Sequence, residues 1–204
     1  MSIAVFIFCT LVFVAWLAYE QRKAQKASKK VSLEFWAREE EANNTRNKDI
    51  SHIMLLSVKE SEIPTAATTE ESILYYIERL KQNIQMPMAD LSEYSNTDLK
   101  LAYGVGNFKV LSEYDENFNT FLINLSNLAR AYTRSEFFPE ARDTYLLALH
   151  YGSLKVSDYT ELAECYLKLD QPENISRLIT EVDNGSHPRK EAILESLRGV
   201  LASY

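Results

Sequence analysis

Leu128-Ala129-Arg130-Ala131-Tyr132 recurs as Leu162-Ala163-Glu164-Cys165-Tyr166, with Leu, Ala and Tyr each displaced by 34 residues. Each copy is followed by a break and then a proline: Phe137-Phe138-Pro139 in the first, Asp170-Gln171-Pro172 in the second. Proline is tolerated in the first turn of a helix, where its missing N–H would have no partner. After Pro139 come Ala141, Tyr145 and Ala148 at helical spacing, and Gly152 suits a left-handed helix end. The pattern predicts helix–turn–helix units. With five glycines, five prolines and no strand-like alternation, the chain reads as all-α.

The unit resembles the tetratricopeptide repeat, a 34-residue helix–turn–helix that stacks into an α-solenoid. In the first copy Leu125, Leu128, Ala129, Tyr132, Ala141, Tyr145 and Ala148 fall on its signature positions. Tyr159, Leu162, Ala163 and Tyr166 match in the second, whereas Ile175, Ile179 and Val182 depart from the small–aromatic–small pattern of its second helix. Residues 188–202 read as a closing helix with Ile193, Leu194, Leu197 and Leu201 on one face. The resemblance covers roughly 117–202 and implies a protein- or peptide-binding domain. Stacked repeats usually need three units, so the helices expected in 68–116 stand in for a missing one.

Upstream, the run IAVFIFCTLVFVAWLAY (3–19) holds no charge, Gly or Pro. A seventeen-residue helix is about 26 Å long, slightly short of the roughly 30 Å hydrocarbon core. Its ten Leu, Ile, Val and Phe residues supply about −3 to −6 kcal/mol of insertion free energy. Trp16 and Tyr19 suit the membrane interface, and Arg22, Lys23 and Lys26 follow at once, with Lys29 and Lys30 beyond. The positive-inside bias predicts a single-pass plasma-membrane protein with its N-terminus outside and residue 20 onward in the cytoplasm. A cleaved signal would place basic residues before the run. It is the alternative in which the helical domain is exported.

Residues 1–30 hold five basic residues and one acid, so of the chain's net −7 the remainder, 31–204, carries −11. That balance argues against nucleic acid as a partner and restricts lipid contact to the anchor and its basic flank. The two cysteines, Cys9 and Cys165, imply no disulfide framework. The four N-x-S/T sequons, at Asn43, Asn124, Asn174 and Asn184, mean nothing in a cytoplasmic domain.

Four regions follow: an anchor (1–20), a juxtamembrane helix (21–48), an irregular segment with packing helices (49–116) and the repeats with a capping helix (117–204). The first helix is expected to run to about residue 43, ended by Asn43, Asn44 and Thr45. ISHIMLLSV (50–58) reads as an extended packing segment. Thr68-Thr69-Glu70-Glu71 opens a helix with the stripe Ile73, Ile77, Leu80 and Ile84, and Asn96-Thr97-Asp98 opens another. Gly104-Val105-Gly106 lacks a Walker lysine and a preceding strand, so it reads as a turn. The segments EFWAREEEANNTRNKDIS (34–51) and YSNTDLKLAYGVGNF (94–108) resemble parts of small membrane-anchored bacterial proteins, of Firmicutes type, that end in such repeats. That likeness implies architecture and bacterial origin and carries no chemistry.

The three histidines, His52, His150 and His187, are scattered, and HExxH, GxSxG and CxxC motifs are missing. We expect no enzyme, metal or cofactor. Phe35 and Trp36 are expected to pack on the domain. By the resemblance, Ile123, Asn127, Arg130 and Arg134 of one copy and Thr160, Glu161, Glu164 and Lys168 of the other face a concave groove. Asn127, Arg130 and Arg134 share one helix face, and two guanidinium groups beside an amide suit a carboxylate. The acidic second copy favours a peptide with charge of both signs. The plainer reading is a solvated helix face. The expected role is a non-catalytic membrane-anchored adaptor. The rival is a structural role in which the chain self-associates as a homo-oligomer through the anchor or the 34–48 helix, with the repeats only a rigid body.

Overall fold

In the computed structural model, which describes residues 3–203, the protein has eight α-helices and no strand among those residues. They are α1 (Ile3–Asn43), α2 (Glu71–Asn83), α3 (Asn96–Tyr103), α4 (Phe108–Arg134), α5 (Phe138–His150), α6 (Val156–Lys168), α7 (Pro172–Asn184) and α8 (Lys190–Ala202). They divide into two compact units, one of residues up to 52 with 93–110, the other of 53–92 with 111–204. The sequence division at residue 117 falls inside α4, which runs unbroken through it.

In the first unit, α1 continues from the apolar run through the basic flank to Asn43, because no Gly or Pro interrupts it. Thr45 then caps it, its hydroxyl donating to the Glu41 carbonyl. Among the described residues no helix is long and apolar enough to cross a membrane. The side chains of Ala4 and Val5, which belong to the seventeen-residue run, lie outside those described.

α3 starts at Asn96, where its sequence signal begins, and Ser95 before it forms a capping box. Ser95 Oγ accepts the Asp98 N–H at 3.2 Å and Asp98 Oδ2 accepts the Ser95 N–H at 3.1 Å. α3 then meets the last turns of α1. Arg38 pairs with Asp98 at 2.5 Å, Lys100 Nζ reaches Glu39 at 3.2 Å and Asn43 Oδ1 at 2.9 Å, and Thr97 donates to Glu39. The bonds from Thr97 and Lys100 hold the Glu39 carboxyl below the usual carboxylate range. Ala42 is fully buried beneath these contacts. Phe35 and Trp36, expected to pack on the domain, are instead exposed, their rings edge-on to each other at 5.4 Å. The side-chain bonds to α3 begin only at Arg38, which is why neither ring is covered.

Gly104-Val105-Gly106 is a turn, as expected, and it does more than reverse the chain. It cradles the strand-like segment after α1. Lys48 N donates to Tyr103 O (3.0 Å), Gly106 N to Asn47 Oδ1 (2.8 Å) and Asn107 Nδ2 to Lys48 O (2.7 Å). Gly104 sits at φ +90°, and a Cβ there would lie 2.5 Å from the Arg46 carbonyl oxygen. A Cβ on Gly106 would lie 2.2 Å from Asn47 Nδ2. Gly104 is therefore required for close approach and for its backbone conformation, whereas at Gly106 the neighbour is only the movable end of the Asn47 side chain.

The segment expected to be extended, 50–58, instead holds a turn at 51–52 and a bend at Ile53, and in the second unit 54–58 is irregular, with Leu56 N bonded to Met88 O at 2.8 Å. Val58 turns in while Met54 points out. Ile73, Ile77 and Leu80 of α2 are buried, as their stripe predicts, and Ile84 is half-buried. A buried amide pair ties α2 to α4: Asn124 Nδ2 donates to Asn83 Oδ1 at 2.8 Å. The Asn124 sequon is thus packed away inside the protein.

The 34-residue period is physical. Among the described residues, Glu136 (φ 63°) and Asp170 (φ 56°) are the two non-glycine residues with positive φ, and they stand 34 apart. Around them the turn bonds repeat: Phe137 N to Tyr132 O and Gln171 N to Tyr166 O, both 2.9 Å. The helices that follow also start 34 apart, at Phe138 and Pro172, although the prolines themselves are 33 apart. Gly152 closes α5 at φ +90° with open space around it, so only its backbone conformation requires glycine. Ala129, Ala141, Ala148 and Ala163 are fully buried with Tyr132 and Tyr145 around them. In α7, Ile175 and Val182 are buried in the departing copy, and Ile179 is only half-buried. α6 packs against α5, α7 and α8.

Gly104→Ala should destabilise the first unit by about 1–3 kcal/mol, from backbone strain and the lost close approach. Hydrogen exchange read at the amides of Lys48 and Gly106 checks it. Both should open faster, while amides of α4–α6 keep their protection.

Candidate functional site

A groove of about 640 Å³ lies between the last turns of α4 and the length of α6. Arg130, Thr133 and Arg134 form one wall, and Ser157, Thr160 and Glu164 are on the other. Both walls carry their residues at helical spacing of three and four, so each helix turns one face to the groove. Five of the residues expected to face a groove therefore do line one: Arg130, Arg134, Thr160, Glu161 and Glu164. Asn127 is half-buried and Lys168 exposed, and neither lines it. Ile123 lies in a separate recess of about 230 Å³ with Asn119, Gly152 and Leu154. The interface set Trp16, Tyr19, Arg22, Lys23 and Lys26 is exposed along α1.

The floor of the groove is a closed polar network. Arg130 Nε donates to both carboxylate oxygens of Glu161 at 3.0 Å, and Nη2 donates to Ser157 Oγ at 3.0 Å. Tyr145 OH, from α5, donates to Glu161 Oε2. Burial works against the Arg130 charge, but the bond and attraction from Glu161 outweigh it and raise its pKa. Burial, then the Glu161 carboxylate, push the Tyr145 phenol well above its ordinary value of 10.0. Arg130 is thus held by its own chain, and the expected pair of arginines beside an amide does not form. Arg134 and Glu164, both exposed, are the charges at the rim.

One functional support is not singled out by the sequence motifs. Asp158, in the first turn of α6, is fully buried. Its Oδ2 accepts the hydroxyls of Ser126 at 2.8 Å and Ser153 at 2.6 Å. Lys155 Nζ donates to Ser126 Oγ at 3.2 Å, and Arg130 Nη2 stands 3.9 Å from Asp158 Oδ1. An acid in a first helical turn is favoured by the peptide dipoles, and here it also fixes α6 to α4. A Ser/Asp pattern at 126, 153 and 158 carries no sequence signal, because the three meet only after folding.

Elsewhere, burial pushes the Cys165 thiol up, which leaves it as a packed apolar group rather than a nucleophile. His187 accepts the Arg189 N–H on Nδ1 at 3.0 Å, and its ring stands edge-on to Tyr159. Burial, with Arg189 nearby, lowers its pKa. Among the described residues no cluster of His, Cys, Asp and Glu has metal-binding geometry. The groove's hydroxyls are held by carbonyls or other side chains: Thr133 donates to Ala129 O at 3.0 Å and Thr160 bonds Ser196 Oγ at 2.6 Å. It offers a rigid polar floor between two rim charges of opposite sign. In comparisons with known proteins, no family model, no curated protein and no solved structure matches the chain.

Two measurements check the network. A double-mutant cycle on Arg130→Ala and Glu161→Ala should return a coupling of about 1 kcal/mol, as for a bidentate, part-exposed pair. The second uses pH. Tyr145 has a folded pKa above its unfolded value, so the stability it confers is complete below pH 10 and is lost as pH rises toward the folded value. Denaturation midpoints should fall above that pH, and Tyr145→Phe should lessen the slope.

Proposed function

We propose that this protein is a non-catalytic, single-pass membrane adaptor whose tetratricopeptide-like C-terminal half holds a protein or peptide partner. The observation that carries the reading is the groove between α4 and α6, with its prearranged floor and its rim charges Arg134 and Glu164. A floor already hydrogen-bonded needs little reorganisation to receive a ligand, which favours binding by preorganisation. The opposite rim charges suit an extended peptide that carries both signs. The repeat of turn conformation at Glu136 and Asp170 supports the tetratricopeptide-like assignment.

For the anchor, the support is that Phe6, Phe8, Leu11 and Phe13 are exposed on every side of α1. Such a surface is costly in water and stable in lipid. The basic residues that follow support a cytoplasmic helical domain through the positive-inside bias. The groove is short, so its intrinsic affinity is modest, and confinement to the membrane raises the effective concentration of partners.

The test is a pull-down from detergent-solubilised membranes with the full-length protein. Arg134→Glu/Glu164→Lys should lose the partners that the unmodified protein captures, whereas Arg177→Glu, on exposed α7 surface, should keep them. Retention of every partner by the rim variant would refute the groove assignment. Alkaline carbonate should leave the protein in the vesicle pellet.

A further inference from the structure

Two carboxylates of α6 lie within reach of one guanidinium. Glu161 holds Arg130 through Nε, at 3.0 Å to each of its oxygens. Asp158, one turn earlier, uses its Oδ2 to accept the hydroxyls of Ser126 and Ser153. Its Oδ1 is buried and accepts no hydrogen bond. Arg130 Nη2 stands 3.9 Å from that oxygen and donates to Ser157 Oγ instead, at 3.0 Å. Lys155 is engaged by Ser126 Oγ at 3.2 Å. A buried carboxylate oxygen without a donor is costly, so Arg130 sits between a carboxylate that it bonds and a second that it only approaches.

We propose that the groove takes a cationic side chain, lysine or arginine, of a peptide, and that this group binds Glu161 while Arg130 moves onto Asp158. The inference rests on the groove reading and assigns the charge of the ligand at the groove floor. The Glu161 side chain is 26% exposed and that of Asp158 0%. A ligand can therefore reach the first carboxylate, and only a group of the chain itself can serve the second. A shift of about 1 Å brings Nη2 to the distance of a charge-assisted hydrogen bond with Asp158 Oδ1. Two cations then serve two carboxylates where one had served both.

The opposite ligand charge does the reverse. A carboxylate in the groove would compete with Glu161 for Arg130 and leave both acids of α6 short of a cation. Glu164 lies three residues beyond Glu161 on the same face, exposed at the rim, and gives the incoming cation a second carboxylate. Tyr145 keeps its bond to Glu161 throughout. Arg134, on the other rim, repels a second cation and suits an acidic neighbour in the same peptide.

Calorimetric titration of the full-length protein in detergent tests it. The probes are an acetylated peptide of alternating glycine and lysine and the same peptide with glutamate for lysine. The lysine peptide should bind several-fold more tightly. Arg130→Met, which frees Glu161 of its internal partner, should tighten it further by several-fold, whereas Arg177→Met, an equal change of net charge on α7, should not. Asp158→Asn should weaken lysine-peptide binding several-fold while Arg130 is present and have no effect on the Arg130→Met background. A purely structural role for Asp158 would act in both. If Asp158→Asn fails to fold, the comparison of Arg130→Met with Arg177→Met decides alone. Preference for the glutamate peptide, no tightening by Arg130→Met, or an equal effect of Asp158→Asn on both backgrounds overturns the exchange and keeps the groove. Binding that survives Glu164→Lys, or binding of neither peptide, overturns the groove and the exchange together.

Discussion

Glu161 is the point on which the C-terminal helices converge. It belongs to α6, takes two bonds from Arg130 of α4 and a third from Tyr145 of α5. Removing the carboxylate would leave the Arg130 Nε and the buried Tyr145 phenol without this acceptor, and a buried donor left unpaired costs more than its bond was worth. Asp158 repeats the device one turn earlier, with Ser126 and Ser153 as donors. The small residues Ala129, Ala141 and Ala163 bring the helices close enough for these bonds to form. The groove exists because its floor is fixed from three helices at once.

A different constraint governs the first unit. There the backbone of residues 46–48 is pressed into the Gly104–Gly106 turn, and side-chain ion pairs reinforce the approach. Exposed pairs such as Arg38–Asp98 contribute little singly. The steric requirement at Gly104, against the Arg46 and Asn47 backbone, is what specifies the contact. It fixes the foot of α1 against α3 and so gives the long helix a defined end.

These two kinds of constraint bear on function differently. The polar network under the groove engages Arg130 and leaves Arg134 and Glu164 as the exposed charges at its rim. In the first unit the contact at Gly104 sets the end of α1 and leaves Phe35 and Trp36 exposed.

Periodicity made much of this legible in the sequence. Apolar spacing gave the helical class, the stripe of α2 and the closing helix, because burial of one face is a local pattern. The 34-residue recurrence gave the turns, because a left-handed residue between two helices has the same local requirements in both copies. Which charges face solvent was decided only by tertiary structure. Arg130 and Arg134 read alike on one helix face, yet Glu161 and Tyr145 claim the first and not the second. The Asn83–Asn124 pair, the burial of Asp158 and the cradle at Gly104 and Gly106 likewise depend on segments distant in the chain. A hydrogen bond or a close approach between such segments leaves no period to read, since it depends on where folding brings them together.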